Sequence, residues 1–321
     1  MLTTAEPLPH LRVLGAGATD TGRRRRLNED RIGVRNDLSA YLVCDGAGGH
    51  NAGEVAAALA SRSIVNYLAA TSHDAEQQSE FDRFGIPNGA RRLSAAVHKA
   101  NRDIVEISQT SHQHRGMGTT VVSAAFSARS GLMHVAHVGD SRCYRLRSRH
   151  LELMTQDHSL LTDVLEYRPE LDDTKLDRIP RNVITRALGV NEELRVSVRS
   201  YPVVAGDRYL LCSDGLSGPV SGSFIAELLR QADSAEHAAN NLILAANAAG
   251  GPDNISAVVI DCFTGPDIAL PMGPSEPPPT VPENENDPEL LILGSEEIDL
   301  DDRGSEAFID AITEAFGRKT P

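Results

Sequence analysis

The sequence contains no tryptophan, and only 4% of its 321 residues are aromatic. Its core must therefore be built from Val, Leu, Ile and Ala rather than from large rings. No run of about 18 consecutive apolar residues occurs, which excludes a helical membrane span. The segment Met1–Gly15 has no charged start followed by an apolar run, so no signal peptide is expected. Only four cysteines are present, Cys44, Cys143, Cys212 and Cys262, none in CxxC spacing and each within an apolar stretch. That excludes a zinc pair or a disulfide framework, and points to buried thiols in a reducing, cytoplasmic compartment. A basic surplus is lacking as well. Arg23–Arg26 is the one basic run, too short for a nucleic-acid footprint in a chain of net charge −14.

The negative charge is concentrated at one end. Between Thr264 and Pro321 there are 14 acidic and 3 basic residues, so the preceding 263 residues are nearly balanced. This terminal stretch is rich in Pro, Glu, Asp and Asn and cannot bury enough apolar surface to offset its ordering entropy. It reads as an acidic, largely disordered tail over 264–321. Two apolar islands interrupt it: Leu290–Leu293, and a stretch in which Phe308, Ile309, Ile312 and Phe316 share one helical face. Such an island is a candidate for docking on a protein partner or on the folded domain.

What remains, 11–263, is long enough for one large domain. Residues 11–16 read as a strand, Ile32 and Val34 alternate with polar neighbours, 40–44 is a short apolar run, and a block of short alternating strands follows at Thr119–Ser127, Leu132–His137, Ser141–Leu146 and Leu151–Leu153. Further strands are expected at Leu194–Ser200, Asp207–Cys212 and Asn254–Asp261. Asn51-Ala-Gly-Glu54 resembles a capping box and opens a helix to about Ala70. Leu93, Val97, Ala100, Ile104 and Ile107 place one apolar stripe on a second helix. Two more helices are predicted over 223–231 and 235–249. The charged stretch from about 157 to 191, broken by Pro169, Pro180 and Gly189, reads as an irregular flap. Antiparallel strands with pairs of amphipathic helices predict an α+β fold, with helices covering the outer faces of two packed sheets. Gly15-Ala-Gly17 is not a dinucleotide loop, because Asp20 holds the third glycine position and no helix follows.

Four acidic clusters follow or open apolar strands: Asn28-Glu29-Asp30, Cys44-Asp45-Gly46, Ser213-Asp214-Gly215 and Pro252-Asp253-Asn254. A strand end is a rigid platform for aiming a side chain. Carboxylates converging without basic partners raise one another's pKa, and a hard divalent cation is the usual remedy. An all-oxygen donor set suits Mg2+ or Mn2+. Taken singly, each Asp-Gly is an ordinary turn; the case rests on the set and its order.

Across roughly 11–262 the sequence resembles the metal-dependent protein serine/threonine phosphatases of the PP2C, or PPM, family in their bacterial form. The resemblance is carried by RRLNED from Arg25, DGAGGH from Asp45, GMGTT from Gly116, VGDSR from Val138, TQDHS from Thr155, TRALG from Thr185, LCSDGL from Leu211 and GPDNIS from Gly251. It implies a four-layer αββα sandwich and a hydroxide, bridging two Mn or Mg ions, that attacks phosphoserine or phosphothreonine directly. It implies that Asp45 bridges the two ions and that the Gly46 carbonyl binds one of them. Asp214 and Asp253 match ligands of the other, and Glu29 matches a residue reaching the second ion directly or through water. Asp30 matches the group that orients water. Asp140 with Asp214 matches the site of a third, weaker ion, and Arg25 matches the residue that grips the substrate phosphate. Animal-type members carry a His directly after the Asp-Gly, where this chain has Ala47. The leaving group's proton donor is then either His50 or water held by the metal. The implied partners are phosphoproteins and the Ser/Thr kinases opposed in bacterial signalling.

The rival reading is a catalytically silent, metal-containing module that shields phosphoproteins. Loss of a ligand would mark such a module, yet Asp45, Asp214 and Asp253 are all present. Cys143 and Arg149 have the Cys-x5-Arg spacing of cysteine phosphatases, but the intervening residues alternate like a strand and include no glycine. His112-Gln-His114 lies in an expected surface loop without acidic neighbours.

Overall fold

The computed structural model describes residues 11–48, 52–73, 79–180 and 182–264, and the backbone of Leu291–Ile292. Two five-stranded antiparallel sheets form its centre. The first runs β1 (Leu11–Asp20), β13 (Ile255–Thr264), β12 (Arg208–Cys212), β8 (Arg142–Arg147) and β9 (His150–Leu153). The second runs β11 (Ser197–Pro202), β7 (Leu132–Val138), β6 (Val121–Ser127), β3 (Ala40–Cys44) and β2 (Arg31–Arg35).

Period-two alternation sorts each central strand between two apolar layers. On β3, Tyr41 and Val43 point between the sheets, while Ala40, Leu42 and Cys44 face a helical layer. On β12, Tyr209 and Leu211 take the inner face, and Leu210 and Cys212 the outer one. Helices α1 (Ala52–Ala70) and α2 (Asn88–Thr110) cover the second sheet, where Ala56, Ala57, Ala60, Ala96 and Ala100 are fully buried. Helices α5 (Gly222–Gln231) and α6 (Ala235–Ala248) cover the first sheet. The result is the expected four layers, helix, sheet, sheet, helix. With no tryptophan available, Phe126 edges onto both Tyr41 and Tyr209 at 5.9 and 5.6 Å in the inner layer. All four cysteines are buried and free, and burial holds the Cys143 thiol far above its usual pKa. It cannot serve as a thiolate nucleophile.

β1 runs past the predicted end at Ala16 because it pairs with β13 along all of its length. Gly15 is required there by close packing: a Cβ would lie 2.3 Å from the Tyr41 ring. β11 starts later than expected, since β7 offers no partner beyond Val138. The residue proposed to cap α1, Asn51, lies outside the described residues.

The flap is more ordered than its charge pattern predicts. It holds the short helices α3 (Leu160–Tyr167) and α4 (Asp173–Leu176), then β10 (Val183–Ile184). α3 is capped by Ser159, whose hydroxyl accepts from Thr162 N. Leu160, Val164, Leu171, Ile179 and Val183 form a small core of the flap's own. Its far end is fastened to α2, where the buried Asn101 accepts from Gly189 N at 2.8 Å and donates to Asn191 O at 2.8 Å. β10 pairs in parallel with β14 (Leu291–Ile292), so part of the first apolar island in the tail is strand. The island around Phe308 lies outside the described residues. No helix among the described residues is long and apolar enough to cross a membrane.

β12 has Asp207 at its start and Asp214 just beyond its end. Asp207 is 2% exposed; it takes a forked ion pair from Arg147 at 2.6 Å and further hydrogen bonds from Val204 N and the Tyr209 hydroxyl. Burial pushes its pKa up, but these donors outweigh burial and hold it below the ordinary value. Its charged form is therefore favoured by folding, and the stability it adds is present above the ordinary carboxylate range and lost as pH falls through the folded pKa. We expect Asp207→Asn to cost about 2 kcal/mol near pH 7. In thermal melts the gap from wild type should narrow steadily below about pH 4; a gap independent of pH would contradict this assignment.

Candidate active site

Asp45, Asp140 and Asp214 each lie within two residues of the C-terminal end of a strand, and Asp253 just before the start of one. Antiparallel pairing brings these ends to one edge of the two sheets. Asp30 closes the loop between β1 and β2 and is 1% exposed. Charges separated by more than two hundred residues in sequence thus meet, and the electrostatics record it. Burial pushes Asp45 well above the usual carboxylate range, with Asp30, Asp214, Asp253 and Asp140 adding to the shift. Asp30 is raised to about 7 by burial and by Asp214 and Asp253, against hydrogen bonds from Ser256 and Ser213. Asp140 is raised to about 7 by burial and by Asp214 and Asp157. Asp214 reaches about 6 through burial and Asp253, with Asp45 and Arg25 pulling the other way.

Backbone clamps hold these carboxylates in place. Asp45 is gripped by the Gly118–Thr119–Thr120 segment. Thr120 N and the Thr119 hydroxyl both donate to Asp45 O at 2.8 Å, and Asp45 N donates to Thr120 Oγ1 at 3.2 Å. This clamp continues into a short unpredicted ladder, β4 (Gly46–Ala47) with β5 (Gly118–Thr119). At Gly46 a Cβ would fall 2.3 Å from Gly53 O and 2.8 Å from Glu29 O, so the α1 terminus and the Glu29 backbone close onto it. Gly215 is equally constrained, since its Cβ would stand 1.9 Å from Asn254 O. Only glycine there lets the loop carrying Asp214 lie against the loop carrying Asp253.

Asn254 ties the Arg25–Asp30 loop to the same place. Its side chain donates to Thr21 O and Leu27 O at 2.9 and 2.7 Å and accepts from Glu29 N at 2.8 Å. Ser213 Oγ donates to Asp30 Oδ2 at 2.8 Å and accepts from Ser256 N at 3.0 Å. Sequence reasoning gave no role to Asn254, Ser213, Ser256, Thr119 or Thr120. All five lie inside the quoted motifs, and that adjacency was the only signal available.

Of the four consecutive arginines, Arg25 alone turns inward while Arg23, Arg24 and Arg26 are exposed. Its guanidinium pairs with Asp253, Nη2 donating to Oδ2 at 3.0 Å while Nε makes an ion-pair contact with Oδ1 at 3.0 Å. Arg25 therefore borders the acidic cluster, as a phosphate-gripping group must, but engages a carboxylate expected to bind metal. Among the described residues no three His, Cys, Asp or Glu side chains form a ready cation shell. Two observations nonetheless fit divalent cations. Asp30 Oδ1 and Asp214 Oδ1 are buried with no hydrogen-bond partner, and the donor set is all oxygen. An unpaired buried carboxylate oxygen is costly unless a cation or donor meets it. His50 lies outside the described residues. Ala47 is buried on β4 and brings no titratable group.

The family model for protein phosphatase 2C matches residues 19–249. The serine/threonine phosphatase stp of Listeria monocytogenes serotype 4b (strain F2365) is 34% identical over 248 residues, which is 76% of this chain and 93% of that protein. The serine/threonine protein phosphatase PstP of Mycobacterium tuberculosis (strain ATCC 25618 / H37Rv) is 36% identical over 247 residues, 77% of this chain and 44% of that protein. The crystal structure of the catalytic domain of PstP in complex with two manganese ions superposes with a TM-score of 0.64 at 33% identity, covering 79% of this chain and 99% of that one.

The three hydrogen bonds of Asn254 are each worth about 1 kcal/mol. Asn254→Ala should therefore cost about 2–3 kcal/mol in denaturant unfolding, with an unchanged m-value. A loss under about 0.5 kcal/mol would show that the loop is held by other means.

Proposed function

Because the chain belongs to the protein phosphatase 2C family, we propose that Asp45, the Gly46 carbonyl, Asp214 and Asp253, with Glu29, hold two catalytic Mn2+ or Mg2+ ions. Asp140 with Asp214 takes a third. The protein is a serine/threonine phosphatase, and these residues serve hydrolysis of phosphoserine and phosphothreonine in other proteins. The observation that carries the assignment is the convergence of buried carboxylates at one sheet edge, with Asp30 and Asp214 each keeping an oxygen free of any hydrogen bond. Residues 11–263 are the catalytic domain. Its partners are phosphoproteins and the kinases that phosphorylate them, within the cytoplasm, where four free buried thiols are at home.

When bound, divalent cations neutralise phosphate oxygens and make water a competent nucleophile near neutral pH. The protein's own groups then have distinct tasks. Arg25 presents a planar fork matched to two phosphate oxygens, and its Nε and Nη2 reach them by exchanging Asp253 for substrate. Asp30 is locked by Ser213 through one oxygen, which leaves the other to accept from a water and orient it. The strand-end platforms and the clamp on Asp45 fix these charges before substrate arrives, so electrostatic preorganisation carries most of the rate.

With a phosphothreonine peptide and Mn2+, Asp45→Asn and Asp253→Ala should each lower kcat/KM by roughly a hundredfold or more. Arg25→Ala should act mainly on KM, and excess chelator should abolish turnover in the wild type. Hydrolysis that persists in chelator, or that survives both aspartate substitutions, would defeat the metal assignment. A wild type that binds Mn2+ yet turns over no phosphopeptide would favour the silent module.

A further inference from the structure

Ile184 bridges Ser159 on one side and Ile292 on the other, so the tail strand fills an edge of the flap that would otherwise be open. Val183 and Ile184 are 0% and 1% exposed, and Val183 belongs to the flap's own core. An apolar two-residue edge of this kind invites a strand from elsewhere. The chain between Thr264 and Leu291 comprises about 26 residues and can span up to roughly 90 Å, so reach imposes no limit.

Charge supports the same seating. The Leu290–Leu293 run is preceded by Asp287 and Glu289 and followed by Glu296, Glu297 and Asp299. Parallel pairing points β14 the way β10 runs, toward Arg186. Arg186 and Arg199 border a cavity of about 140 Å3 beside His137 and His158. Neither arginine makes a hydrogen bond or ion pair in the described structure. Asp163 and Glu166 border the cavity too, so charge adds to the backbone pairing and does not replace it.

The strand that receives the tail is tied to the catalytic edge through the residues that directly follow it. Thr185 N donates to His158 O at 2.9 Å, and His158 N donates to Gly139 O at 3.0 Å, beside Asp140. Leu188 and Thr119 exchange backbone hydrogen bonds at 2.9 and 3.1 Å, and the Thr119 hydroxyl holds Asp45 O.

We infer that the chain's own Leu291–Ile292 is a resident, releasable strand of the flap, added edge-on to Val183–Ile184, and that the acidic sequence around it complements the charge of Arg186 and Arg199. Its seating holds the flap against the backbone that carries Asp45 and Asp140.

Hydrogen–deuterium exchange on the full chain tests this, comparing wild type with the double variant Leu291→Asp/Ile292→Asp. Amides of 179–188 should exchange roughly tenfold faster in the variant, with β6 and β12 unchanged. A labelled peptide of residues 286–297 should bind the variant and not the wild type, whose edge is filled in cis. Adding Arg186→Glu and Arg199→Glu to the variant should weaken that binding several-fold, most at low salt. Unchanged flap exchange, or equal peptide binding by both proteins, overturns the inference. A difference that disappears on dilution assigns the strand to a second copy and overturns the cis arrangement. No arm reads turnover, so this result and the phosphatase assignment stand or fall separately.

Discussion

Mutual repulsion among buried carboxylates is the constraint around which this molecule is arranged. Asp30, Asp45, Asp140 and Asp214 are each held above their ordinary pKa, with burial as the first cause in every case and neighbouring carboxylates among the others. Left to itself, such a cluster would push the loops apart. What resists is a set of fixed, mostly uncharged contacts. Threonine hydroxyls and amides clamp the Asp45 backbone, serines hold Asp30, and Asn254 holds the loop between β1 and β2. Cations are then favoured by the same repulsion that would otherwise weaken the fold.

The two ends of the sheets divide the labour. At the end that carries the acidic cluster, carboxylates outnumber their basic partners, and glycines at 46 and 215 let backbones approach more closely than any side chain allows. At the other end of β12, Asp207 is fully satisfied by Arg147, Tyr209 and a backbone amide. One strand therefore carries a charge that stabilises at its start and a charge that is destabilised at its end. The inner layer of β-branched residues, Leu and Tyr between them fixes their separation.

The flap belongs to this arrangement through its backbone. Its helix α3 and strand β10 enclose a separate small core, while Thr185, Leu188 and Asn101 tie it to the rest. A segment with its own core and a few hydrogen-bonded attachments can shift as a unit.

Much of this was legible in the sequence. A short apolar run located β3 with both its limits, because a strand buried on both faces has little freedom of composition. The helical stripe from Leu93 to Ile107 was equally plain, as was the family, since eight motifs in order leave little room for chance. Where pairing rather than pattern decides, the sequence was silent. β1 runs on to Asp20 because β13 lies beside it, and Gly46–Ala47 is a strand only because Gly118–Thr119 comes alongside. The flap's helices were hidden by their short length and high charge. The acidic motifs named the residues that meet, since each side chain must sit at a strand end. Their mutual distance, the turn of Arg25 onto Asp253, and the scaffold of Asn254 and Ser213 were decided by tertiary structure alone. These depend on contacts between residues more than two hundred positions apart, and no local pattern encodes such contacts.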